Sequence, residues 1–127
     1  MDTTTIRLIG LRAFGRHGVR EAEKRDGQDF VVDVTLRVDA SQAIRSDQLH
    51  DTLDYDDLAL DLVRIVNGEP VQLLEKLAGI LADRCTENTM VRSVEVTVHK
   101  PKAPINARFD DVSVTITRAR DAQRHRT

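Results

Sequence analysis

Between residues 29 and 38 the chain alternates: Phe30, Val32, Val34, Leu36 and Val38 share one parity, while Val31, Asp33, Thr35 and Arg37 take the other. A period of two with one apolar side is the signature of a half-buried strand. The same pattern predicts strands through Val94, Val96 and Val98 and through Val112, Val114 and Ile116. Residues 6–15 are apolar at both parities and also read as a strand. Between the second and third strands the period changes. Leu58, Leu62, Ile65 and Val66 recur at helical spacing, which predicts a helix from about Tyr55 to Asn67, capped by Asp54 and ended by Gly68 and Pro70. Leu74, Leu77, Leu81 and Cys85 form the stripe of a second helix, from about Leu73 to Glu87.

The order ββααββ, with adjacent helices rather than βα alternation, predicts an α+β domain: a four-stranded antiparallel sheet with two helices on one face. The other face carries Asp33, Thr35, Arg37, Glu95, Thr97, Ser113, Thr115 and Thr117, so it is either wet or the inside of a larger assembly. Two unpaired sheet edges point the same way, toward a homo-oligomer. The connections 16–27, 39–54 and 100–108 are longer than compact packing requires, and loops of that kind carry function. The domain is expected to span 1–118, with 119–127 a polar, basic and flexible tail that includes Arg120, Arg124, His125 and Arg126.

Composition narrows the setting. A chain of 127 residues supports a single core. A net charge of −2 gives no general attraction to nucleic acid. No apolar run approaches the ~20 residues of a membrane span, and the N-terminus has no secretory pattern. Cys85 is the single cysteine, which excludes an internal disulfide and makes a cytoplasmic location the expectation. His17, His50, His99 and His125 include no His-x-His or i,i+4 pair, so a metal site is not expected.

Two stretches carry candidate chemistry: Leu73-Leu74-Glu75-Lys76-Leu77 and Val98-His99-Lys100-Pro101-Lys102-Ala103-Pro104-Ile105. Glu75 opens a helix, where a carboxylate can accept two charge-assisted hydrogen bonds from a flat heterocycle. By itself it is equally a first-turn acid that suits the helix dipole. Lys100 ends a strand and enters a loop stiffened by Pro101 and Pro104. An ordinary lysine titrates near ~10.4 and suits proton transfer once that value moves, as burial beside His99 and Lys102 would move it. Taken singly, Lys100 reads as a surface lysine, Tyr55 as a packing aromatic, Glu23 as a solvated loop charge, and His17-Gly18 as a turn outside the catalytic set.

Together the motifs are specific. Gly15-Arg16-His17-Gly18-Val19 with Glu23, Gly27-Gln28-Asp29-Phe30-Val31-Val32-Asp33-Val34, Asp51-Thr52-Leu53-Asp54-Tyr55, Leu73-Leu74-Glu75 and the His99–Ile105 stretch resemble the dihydroneopterin aldolases, in order and at similar spacing. Asp56 departs from the glycine common there. The resemblance implies a tunnelling fold, with subunits joined edge to edge into tetrameric rings stacked as an octamer and sites at subunit interfaces. It also implies a folate-pathway lyase that splits 7,8-dihydroneopterin into 6-hydroxymethyl-7,8-dihydropterin and glycolaldehyde without metal or cofactor. The roles it implies are Lys100 as general acid/base, Tyr55 as second proton-transfer group, Glu75 and the Leu74 backbone as pterin holders, and Glu23 on the hydroxylated side chain. An epimerase acting on dihydroneopterin triphosphate, an oxygenase side activity, and a non-catalytic pterin-binding assembly protein remain open alternatives.

Overall fold

The computed structural model describes residues 2–120. Its elements are β1 (Thr4–Gly15), α1 (Glu21–Asp26), β2 (Gln28–Val38), α2 (Ser41–Ser46), a 3-10 turn (Leu49–Asp51), α3 (Tyr55–Asn67), α4 (Leu74–Thr86), β3 (Val91–His99) and β4 (Ser113–Ala119). The strands form one antiparallel sheet in the order β1-β2-β3-β4, leaving β1 and β4 as edges. The core lies where the periodicities place it. Phe30, Val32, Val34 and Leu36 of β2 and Val94, Val96 and Val98 of β3 meet Leu58, Leu62 and Val66 of α3 and Leu77, Leu81 and Cys85 of α4. Full burial of a large apolar side chain contributes about 1.5–3 kcal/mol, so these two stripes hold the helices to the sheet. Burial pushes the Cys85 thiol up to about 11.

β1 is apolar at both parities because it contains a bulge. Leu8 pairs with Val34 but Leu11 with Val32, so β1 carries one residue more than its partner. Gly10 takes φ 75° there and donates its N–H to Asp33 Oδ1 at 2.7 Å. The extra residue inverts the alternation, so Ile6 and Leu8 before it and Leu11 and Ala13 after it all reach the core. Ile9 is left outside.

The connections expected to be loops at 16–27 and 39–54 contain α1, α2 and the 3-10 turn, elements too short to show an apolar stripe. The described fold also runs past the expected boundary at residue 118. β4 continues to Ala119, and the Arg120 guanidinium donates to the carbonyls of Val91 (3.0 Å) and Asn88 (3.1 Å). Arg124, His125 and Arg126 of the basic tail lie outside the described residues. Among the described residues, no helix is long and apolar enough to cross a membrane.

Register fixes which groups can share a site. Gly15 pairs with Gln28, Val31 with His99, and His99 with Ser113, so the ends of β1 and β3 and the starts of β2 and β4 lie at one end of the sheet.

Candidate active site

At that end the chain builds a buried ion pair. Lys100 directly follows β3, and its N–H donates to Val112 O at 2.8 Å, holding the loop that begins at Pro101 against the start of β4. Strand alternation sends His99 to the polar face and Lys100 the other way. The Lys100 ammonium meets Glu23 Oε2, and the two residues are only 8% and 7% exposed. Glu23 is therefore no solvated loop charge: α1 turns it inward. Its Oε1 accepts the Arg20 N–H at 3.3 Å, and its Oε2 also accepts from Gln28 Nε2 at 3.1 Å. Burial alone would push this carboxyl up. The Lys100 ammonium and the donors from Arg20 and Gln28 outweigh it and hold Glu23 below its ordinary value.

His17 anchors the loop beside the pair. It is 1% exposed, donates from Nε2 to Val66 O at 2.7 Å, and accepts the Val71 N–H on Nδ1 at 3.0 Å. One nitrogen must donate and the other accept, so the ring is neutral with its proton on Nε2. Burial lowers its pKa, and the nearby Lys100 charge adds to that, against the opposing Val66 hydrogen bond. Gly18 continues the seam, donating to Val71 O at 2.9 Å. At φ 152°, its missing side chain is the space Glu23 occupies: a Cβ there would stand 2.4 Å from Glu23 Cδ.

Because His17 and Gly18 both hold Val71, the segment leading into α4 is fixed at the same end, and Leu74 and Glu75 begin that helix there. Leu73 precedes the helix and has no side-chain acceptor to cap it. Glu75 is exposed. Tyr55 stands apart. Val66, near the end of α3, is bonded to His17, whereas Tyr55 opens α3 eleven residues earlier, about 16 Å away along a helix rising ~1.5 Å per residue. It is 61% exposed, beside a cleft lined by Leu49, Leu53, Asp54 and Asp56. One chain thus brings Glu23 and Lys100 into contact, ties Val71, on the approach to Leu74 and Glu75, to the His17-Gly18 loop, and places Tyr55 at the opposite end of α3 from Val66.

Residues 6–117 match the dihydroneopterin aldolase family (FolB). The chain belongs to the dihydroneopterin aldolase family. It is 48% identical over 120 residues to the dihydroneopterin aldolase of Streptomyces coelicolor, covering 94% of this chain and 99% of that protein. Its fold superposes on the crystal structure of the Escherichia coli dihydroneopterin aldolase in complex with neopterin (TM-score 0.80, 29% identity, 94% of this chain and 100% of that one). It likewise matches the Burkholderia thailendensis dihydroneopterin aldolase bound to guanine (TM-score 0.76, 25% identity, 94% and 93%).

Within this aldolase fold, three features escape the sequence reading. His99 does not sit beside Lys100 in space; its ring lies between Asp33 Oδ2 and Asp111 Oδ2, each at 2.7 Å from one nitrogen. Burial would lower its pKa, but the two carboxylates outweigh burial and raise it. His17 is structural, through partners 49 and 54 residues away that no local motif announces. Gln28 lies inside the Gly27–Val34 motif, which was the available signal, yet nothing in the motif shows that its amide reaches Glu23.

Proposed function

We propose that this aldolase cleaves 7,8-dihydroneopterin with the Lys100–Glu23 pair handling the proton. The buried Lys100–Glu23 contact, beside the His17-Gly18 loop that holds the approach to α4, is the observation that carries the reading. Glu75 would accept the amino and ring N–H donors of the pterin, a bidentate charge-assisted fit, and the uncapped start of α4 leaves the Leu74 backbone N–H for a pterin acceptor. That arrangement puts the hydroxylated chain over Glu23 and Lys100. Lys100, once it has given up its own proton to solvent and working through a water, takes the proton of the hydroxyl whose carbon becomes the aldehyde. The O–H pair forms the C=O bond, and the adjacent C–C bond breaks. Its electrons pass through the ring-side carbon to the ring C=N nitrogen, so neither Schiff base nor metal is required. The enol-like intermediate is then protonated on carbon, releasing 6-hydroxymethyl-7,8-dihydropterin beside glycolaldehyde.

Tyr55, the second proton donor in this reading, would reach the site from a neighbouring copy. The free edges of β1 and β4 supply the means, since edge pairing closes the sheet into a ring of subunits, and two rings make the octamer. Neopterin and guanine, bound by the two related aldolases, share the planar amino-pyrimidinone that Glu75 would read. The direct test is glycolaldehyde release from dihydroneopterin, with Lys100→Ala and Tyr55→Phe chains assayed alone and mixed. Mixed chains that regain activity support a shared site. Wild-type single-turnover rates in Lys100→Ala would overturn the reading.

A further inference from the structure

Gln28 opens β2 opposite Gly15 and turns its side chain onto the ion pair. Its Nε2 donates at 3.1 Å to Glu23 Oε2, the oxygen that also meets Lys100. The orientation of the amide is set by chemistry: a carboxylate accepts and never donates, so only the NH₂ end can face it. The carbonyl end is forced the other way. Gln28 Oε1 is buried there without a partner, the one buried side-chain polar atom in that condition among the described residues. A buried acceptor without a protein partner costs stability. The penalty is tolerated at the point where the amide fixes Glu23.

Resting on the reading of Glu23 and Lys100 as the reacting pair, we propose that Gln28 is a positioning residue that keeps Glu23 ionised and orients its Oε2 toward Lys100. The Arg20 N–H fixes Oε1 and the Gln28 amide fixes Oε2, so the carboxylate plane cannot rotate away from the ammonium. The charged group facing Glu23 is Lys100 from the end of β3, and the neutral imidazole of His17, from the loop after β1, lies within reach of the same Lys100 charge. Gln28 is the neutral member that tunes the carboxylate without competing for its charge.

Gln28→Met and Gln28→Glu test this, with kcat and kcat/KM measured across pH on the assembled enzyme beside urea unfolding. Gln28→Met keeps the length of the side chain and removes both the donor and the stranded carbonyl. Its fold should resist urea at least as well as wild type, while the acid limb of kcat/KM moves up by about one pH unit. A role in stability alone predicts the reverse, a weaker fold with an unmoved profile. Gln28→Glu sets a second carboxyl against Glu23. When protonated it can donate to Oε2, so turnover should persist at low pH and fall, as pH rises, with a new apparent pKa belonging to the pair. A Gln28→Met profile that superimposes on wild type overturns the proposal. Glu23→Gln and Lys100→Ala run alongside: if they turn over normally the reading of the pair falls, and if they are slow while Gln28→Met is unshifted only the role of Gln28 falls.

Discussion

Removing one charge from the Lys100–Glu23 pair should do more damage than removing both. The two side chains are 10% and 6% exposed, so each isolated charge would be left in a nearly dry setting. Breaking a buried pair from one side costs about 3–5 kcal/mol, against at most ~1 kcal/mol for an exposed pair. Lys100→Met strands Glu23 with only the Arg20 and Gln28 donors. Glu23→Gln leaves an amide carbonyl that can still accept from Lys100, so it falls at the lower end of that range. In the double variant neither charge is stranded. Its loss should be smaller than either single loss, so it falls short of their sum by more than about 3 kcal/mol. Urea unfolding followed by circular dichroism, at one fixed protein concentration because any subunit association would add to apparent stability, gives the three values. Single-turnover cleavage should separate the two functions of the pair: all three variants should lose about 10²–10⁴-fold in rate, the stable double variant included. Single losses under ~1 kcal/mol that simply add would refute a buried, coupled pair.

Three further outcomes follow from the same geometry. In NMR titrations, His99 should take up its proton above the ordinary 6.5 and His17 below it. The His99 contribution to stability is therefore complete below 6.5 and lost as pH rises through its raised value, whereas that of His17 is complete above 6.5 and lost as pH falls toward its lowered value. Glu23 acts like His17 at lower pH: its contribution is present above its ordinary 4.5 and lost as pH falls through its depressed value, so acid unfolding should sharpen there and flatten in Glu23→Gln. Gly18→Ala should displace Glu23, because the new methyl would stand 2.4 Å from its carboxyl carbon at a φ few side chains adopt; cleavage should fall at least tenfold while the sheet persists by circular dichroism.

The sheet and the two long helices were legible because each buries a stripe that repeats several times: five alternating residues in β2, four helical positions in each of α3 and α4. The bulge at Gly10 was hidden, since one extra residue leaves a run apolar at both parities, which also fits a strand buried on both faces. Lys100, Glu75 and Leu74 were singled out by motif, and it took the register to bring the end of β3 beside the starts of β2 and β4. Glu23 looked solvated because charged neighbours surround it in sequence; only the turn of α1 shows that it points inward. His17 and Gln28 were missed for one reason. Their functions lie in partners far along the chain, and a neutral imidazole or amide carries no charge pattern to betray them.

Tyr55 has a consequence for how this molecule can be watched. It is the sole tyrosine, and there is no tryptophan, so near-ultraviolet emission from the chain comes from one phenol ring. That residue is 61% exposed and stands at the opposite end of α3 from Val66. Any neighbour that covers it changes the only bright chromophore present, so the intrinsic signal is a label-free gauge of docking at that position. A Tyr55→Phe chain is correspondingly dark, and mixing dark with bright chains would time any exchange of copies at that position.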